Sequence, residues 1–199
     1  AQTWSEHCSH KIFAGKIYYQ DNENNNSKII HSLYKTYIKA STKKIGESID
    51  WLVSVFTDNA GIVKFDDNLN LVYKVETHNS PSALDPYGGA MTGIVGVNRD
   101  PLGTGMGSSL VSNVWGYCLA SPFYEKDVPY GLMHPRRIRD GVHEGVIDGG
   151  NQSGIPYSRG FEIFDERYLG KPLVYCGTLG SIPISVTGRP SERKEIEIG

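Results

Sequence analysis

The chain has 199 residues, 39% of them hydrophobic and 21% charged, with a formal net charge of −2. That length is ample for a buried core, and the balanced charge gives no support for general nucleic-acid binding, which usually draws on a basic stripe. No signal-peptide pattern or bilayer-length apolar run is present, and the three widely spaced cysteines (Cys8, Cys118, Cys176) form no CxxC pair. They read as reduced thiols of a cytoplasmic protein, not as a disulfide framework or a zinc site.

In chain order, "QTWSEHCSHKIF" reads as the tail of a helix entering a polar loop, and "DNENNN" (21–26) as a solvated loop. In "SKIIHSLYKTYIKASTKKI", Ile29, Ile30, Leu33, Tyr34, Tyr37 and Ile38 recur at helical spacing with lysines opposite, so an amphipathic helix is expected. "WLVSVFTDNAGIVKF" reads as strand, turn, strand. "NLVYKVETH" alternates with period two, which puts Val72, Lys74, Glu76 and His78 on one face and Tyr73, Val75 and Thr77 on the other.

The next stretch, "DPYGGAMTGIVGVNRDPLG", carries glycines at 88, 89, 93 and 96 that lower helix propensity. Its apolar residues nevertheless suit a helix opened by Pro86, with small positions that admit a close neighbour. "NVWGYCLASPFY" and "KPLVYCGTLGSIPI" read as strands, and "HPRRIRDGVHEGVIDGGNQSGIP" as a helix ending in a glycine-rich loop. There is no internal repeat and no linker. The expectation is one domain over residues 1–199, of α+β rather than doubly wound class.

Chemistry-bearing residues gather between 74 and 100. Glu76 and His78 suit cation binding and proton transfer, and suit equally well an ordinary solvent-facing strand. Arg99-Asp100 adds a second carboxylate and a guanidinium that fits phosphate, or is a helix C-terminal charge pair. Gly88-Gly89 is compatible with backbone N–H groups facing a phosphate, though the spacing matches neither the P-loop nor the dinucleotide fingerprint. Cys8, beside His7 and His10, has the surroundings of an inert thiol. "HPRRIR" fits a phosphate contact or a solvated loop-to-helix junction, and residues 148–154 fit a C-cap and turn.

These stretches together resemble a known family. "QTWSEHCSHKIF", "VETHNSPSALDPYGGAMTGIVGVNRD", "HPRRI", "GNQSGIP" and "KPLVYCG" occur in the order seen in phosphoribosylformylglycinamidine (FGAM) synthases, relatives of aminoimidazole ribonucleotide synthetase. The form of "SEHCSHKIF" is closer to the long multidomain synthases than to the short subunit, which has tyrosine at position 10. The resemblance implies the N-terminal domain of that fold: an α+β unit with a mixed or antiparallel sheet and flanking helices, forming half of a dimeric β-barrel. It also implies an ATP-dependent ligase of purine biosynthesis that converts formylglycinamide ribonucleotide, ATP and glutamine-derived ammonia to FGAM, ADP and phosphate. An amide oxygen of the substrate leaves as phosphate, through an iminophosphate.

Position by position, the resemblance makes His7 an active-site histidine, His78 the proton acceptor, and Lys74 and His10 ATP contacts. Thr77, His78, Asn79, Ser80 and Arg99 become substrate contacts, and Glu76 and Asp100 ligands of Mg²⁺. One position departs from the family, whose usual run is H-N-H-P-S: Ser80 keeps a hydrogen-bonding group but not the imidazole. The implied partners are the remaining synthetase domains, a glutaminase, and a second copy in a homodimer, with the chain a piece of a longer one. A non-catalytic assembly module and another ATP-using member of the superfamily are the alternatives, and "THNSPSALDPYGG" speaks against the latter.

Overall fold

Two glycine-rich helices lie against one face of a six-stranded sheet, and that pairing positions the candidate site. The structure, a computed structural model, describes residues 11–194. It divides into two units, residues 1–52 and 53–199. The expectations for His7, Cys8 and His10 lie outside the described residues.

In the first unit a short helix α1 (Lys11–Ala14) precedes a hairpin of β1 (Ile17–Asp21) and β2 (Asn26–Ile30). The polar run expected as a loop is the hairpin turn. The Asp21 carboxylate accepts the backbone N–H groups of Glu23 and Asn24 at 3.1 and 3.3 Å, and Asn25 takes a φ of 45°. Such Asx chemistry lets so polar a stretch reverse the chain. Ile29 and Ile30 therefore belong to a strand and not to the helix expected there, since the left-handed backbone at Ser32 (φ 140°) interrupts the continuous helical reading. The Ser32 hydroxyl then accepts from the Lys35 N–H at 3.2 Å. A π-helical segment (Tyr34–Lys39) follows and runs into α2 (Ala40–Gly46).

β3 (Leu52–Ser54) begins at the boundary, and the second unit continues with β4 (Gly61–Lys64), β5 (Leu69–Thr77), α3 (Asn79–Leu84), α4 (Pro86–Leu102), β6 (Ser109–Leu119), α5 (Pro135–Ser153), β7 (Tyr157–Phe164) and β8 (Leu173–Pro183). A two-residue pair, β9 (Ser185–Val186) and β10 (Arg189–Pro190), closes the described chain. The sheet order is β3-β4-β5-β8-β6-β7. β5 pairs antiparallel with β4 and β8, β8 antiparallel with β6, and β6 parallel with β7. The sheet is mixed, as α+β implies, and open.

β7 was not expected from the sequence. It is an edge strand, and its Gly160 accommodates Trp115 of β6, whose ring would lie 2.0 Å from a Cβ at that position.

On the helix-facing side, Ala90, Ile94 and Val97 of α4 and Val142 and Val146 of α5 form one core with Tyr117, Leu119, Val174 and Cys176 of the sheet. Their spacing along each helix is that of a single buried stripe. α4 and α5 approach closely because Gly145 presents no side chain: a Cβ there would sit 2.3 Å from the Tyr87 carbonyl oxygen. The "HPRRIR" run is a loop-to-helix junction. His134 Nδ1 caps α5 by accepting the Arg136 N–H at 3.1 Å, and Arg139 pairs with Glu162 at 2.8 Å. Residues 148–153 remain helical, and Gly154 ends α5 in the left-handed conformation (φ 69°). No helix among the described residues is long and apolar enough to cross a membrane.

Candidate functional site

β5 delivers Lys74 and Glu76 to its helix-facing side, as period-two alternation requires, and α4 delivers Arg99 and Asp100 from its last turns. Lys74 Nζ lies 2.9 Å from Asp100 Oδ2 and 3.0 Å from Glu76 Oε1. One ammonium group thus bridges a carboxylate on the sheet and a carboxylate on the helix. Burial pulls the Lys74 pKa down and is the largest single influence. The hydrogen bonds to Asp100 and Glu76 outweigh it together, so the net shift is upward and the charge is held. The Asp100 side chain is 18% exposed, whereas that of its neighbour Arg99 is 80% exposed and reaches Asp100 Oδ1 at only 3.4 Å. Arg99 is therefore available to a ligand, and Asp100 is a fixed part of the site.

His78 does not continue the strand as expected. The strand ends at Thr77, and His78 takes the N-cap position of α3 with φ −120° and ψ 61°. Its side chain still faces α4, where a Cβ on Gly93 would lie 3.1 Å from His78 Cβ. His78 Nδ1 is 2.5 Å from the Gly89 carbonyl oxygen, which can only accept. Nδ1 therefore donates there, which in a neutral ring leaves the lone pair on Nε2. The tautomer that could receive a proton is set by the fold.

The neighbouring residues divide by task. Asn79 Oδ1 accepts the Val174 N–H at 2.9 Å, tying the start of α3 to β8, and its amide lies 3.3 Å from Thr77 Oγ1. Ser80 is half-buried in the first turn of α3. The phosphate cradle considered for Gly88-Gly89 is not formed. Asp85 accepts from Gly88 N through its carboxylate (3.4 Å) and from Gly89 N through its carbonyl (2.8 Å), so those donors are spent on capping α4 and an anion already stands there. Gly89 has a packing role: a Cβ would meet the Pro81–Ser82 backbone at 2.5 Å, so its absence lets α3 lie on α4.

Lys74, Glu76, Arg99 and Asp100 thus converge, with His78 held on the same side of the sheet. The donor set fits a hard divalent cation carrying phosphate. Two carboxylates already share one cationic group, and Mg²⁺ bound with nucleotide needs one or two carboxylates, the rest being phosphate oxygens and water. Among the described residues no cluster of three or more metal-ligating side chains occurs, which leaves no all-protein cage.

Residues 57–182 match the family described as AIR synthase related protein, N-terminal domain. The chain belongs to that family, and its open mixed sheet with flanking helices is that fold. More particularly, it is 37% identical over 183 residues to the phosphoribosylformylglycinamidine synthase subunit PurL of Thermoplasma volcanium, covering 92% of this chain and 20% of that protein. It also resembles T. maritima PurL complexed with ADP (TM-score 0.56, 28% identity, 75% of this chain and 21% of that one). T. maritima PurL complexed with FGAR is similar at a TM-score of 0.53 and 30% identity, covering 73% of this chain and 21% of that one. The chain spans about a fifth of the length of the curated relatives it matches.

Proposed function

We propose that residues 1–199 act as the N-terminal ATP- and substrate-binding domain of an FGAM synthase, an ATP-dependent carbon–nitrogen ligase of purine biosynthesis working in the cytoplasm. The observation that carries this reading is the Lys74 ammonium held between Glu76 and Asp100. It is supported by the membership of the AIR synthase related family and by the likeness to PurL proteins complexed with ADP and with FGAR.

In this reading Glu76 and Asp100 would hold Mg²⁺, which when bound neutralises charge on the transferring phosphoryl group. Lys74 sits between the two carboxylates and is the cation next to that centre, suited to phosphate oxygens of ATP. Arg99, extended into solvent, and the polar run Thr77, His78, Asn79 and Ser80 contact the formylglycinamide ribonucleotide. Asn79 does so only as far as its tie to Val174 allows. His78 Nε2 accepts the proton released when ammonia replaces an amide oxygen that has been phosphorylated by ATP and leaves as phosphate. His7 and His10 are assigned as active-site histidine and ATP contact by their place in "SEHCSHK".

The remaining synthetase domains and a glutaminase would supply the rest of the site and the ammonia. The face of the sheet turned away from α4 and α5 exposes Tyr73, Val75, Phe161 and Ile163. Such a patch supports pairing with a second copy in a homodimer, each sheet forming half of a barrel.

The test is ADP release from Mg²⁺-ATP in the presence of formylglycinamide ribonucleotide and ammonia. Release that depends on the ribonucleotide and is lost in His78→Ala supports a working site. Release indifferent to both sinks the catalytic reading.

A further inference from the structure

Most of the contact between α4 and the sheet is apolar, through Ala90, Ile94 and Val97. Packing of that kind resists separation but only weakly fixes how far a helix has slid along its axis. At one point the contact changes character. Asn98 Oδ1 accepts from Asn113 Nδ2 of β6 at 2.7 Å and from Thr178 Oγ1 of β8 at 2.8 Å. Asn113 Nδ2 also lies 2.6 Å from Thr178 Oγ1 and 3.3 Å from the Gly177 carbonyl oxygen. All three side chains are buried.

This knot ties the end of the helix to two strands, and its location is specific. Thr178 stands directly opposite Lys74 in the β5–β8 register, and Asn98 is two residues before Asp100. The knot also leaves Asn98 Nδ2 and Asn113 Oδ1 buried without a hydrogen-bond partner. Unpaired buried groups cost stability relative to apolar side chains of the same shape, so stability alone does not account for the cluster. Directional bonds do what apolar packing does not: they fix register.

We infer that Asn98, Asn113 and Thr178 are positioning residues, setting the depth of α4 on the sheet so that Asp100 meets Lys74 and Glu76. The inference deepens the nucleotide-binding role proposed for that centre, but its first readout is independent of it. Lysine amines of the chain are acetylated with limiting acetic anhydride, and peptide mass spectrometry compares Lys74 with Lys64 of β4 as an internal reference. In Thr178→Val and in Asn98→Leu, the Lys74 to Lys64 rate ratio is expected to rise about fivefold, because a displaced α4 releases the amine. Thr178→Ser, which keeps the hydroxyl, should restore the wild-type ratio. An unchanged ratio in folded variants overturns the inference, and so does parallel acceleration of both lysines, the mark of general loosening.

A second arm measures Mg²⁺-ADP affinity. It should weaken about tenfold in Thr178→Val and Asn98→Leu and recover in Thr178→Ser. Unaltered affinity alongside a raised ratio also overturns the positioning role. Absence of binding in the wild type would instead refute the proposed function, while the lysine ratio would still decide the inference.

Discussion

Cys176 and Lys74 face the same side of the sheet and show opposite ways of handling a titratable group. Lys74 is kept charged by two carboxylates, whereas Cys176 is kept neutral by burial, which pushes its thiol up to about 12, with the nearby Glu76 charge adding in the same direction. The sign of the pH effect follows. Once the pH passes the usual thiol value, the unfolded chain loses a proton that the folded chain retains, so stability falls from about pH 8.5 toward the folded value. Tyr117, Tyr157 and Tyr175, all raised chiefly by burial, add to the fall at higher pH. Urea midpoints should drop as the pH rises above about 8. Cys176→Ala should flatten the first part of that drop, and an equally steep curve would count against the assignment. At the site itself, Glu76→Gln should weaken Mg²⁺-dependent ATP binding by about tenfold. Its effect on stability should be within about 1 kcal/mol, because Glu76 is substantially exposed.

At the scale of elements, the glycines of α4 and α5 sort by what a Cβ would meet. Gly145→Ala drives a methyl into the backbone of the neighbouring helix and should cost about 3 kcal/mol or more. Gly96 has nothing within 4 Å, so Gly96→Ala should stabilise the helix by roughly 0.5–1 kcal/mol. Thermal melts of the two variants should therefore move in opposite directions. α4 was legible despite its four glycines because the apolar spacing around them stayed helical and Pro86 marked its start. Other elements were hidden for physical reasons. Ile29 and Ile30 fall into phase with the helix that follows, and nothing in composition separates a hairpin ending at Ile30 from one long helix. β7 is an edge strand without clean alternation. His78 was placed on the correct side of the sheet by period two, although it begins a helix. Asn98 carries a signal of its own in the sequence: a polar residue on the buried stripe of Ala90, Ile94 and Val97.

For the whole molecule, the convergence of Lys74, Glu76 and Asp100 depends on contacts far apart in sequence, and only the strand half of it could be read from local periodicity. The exposed Tyr73, Val75, Phe161 and Ile163 form a surface that water solvates poorly. Light scattering should show a concentration-dependent dimer that Val75→Glu dissociates, whereas a monomer at high concentration would oppose the pairing proposed for the open sheet. We propose that two carboxylates bridged by a lysine mark a Mg²⁺-nucleotide site. Isothermal titration calorimetry of the chain with ATP, with and without Mg²⁺, tests it most directly. The account predicts binding that requires Mg²⁺ and disappears in Asp100→Asn. ATP binding indifferent to Mg²⁺ and to Asp100, or no binding at all, would contradict it.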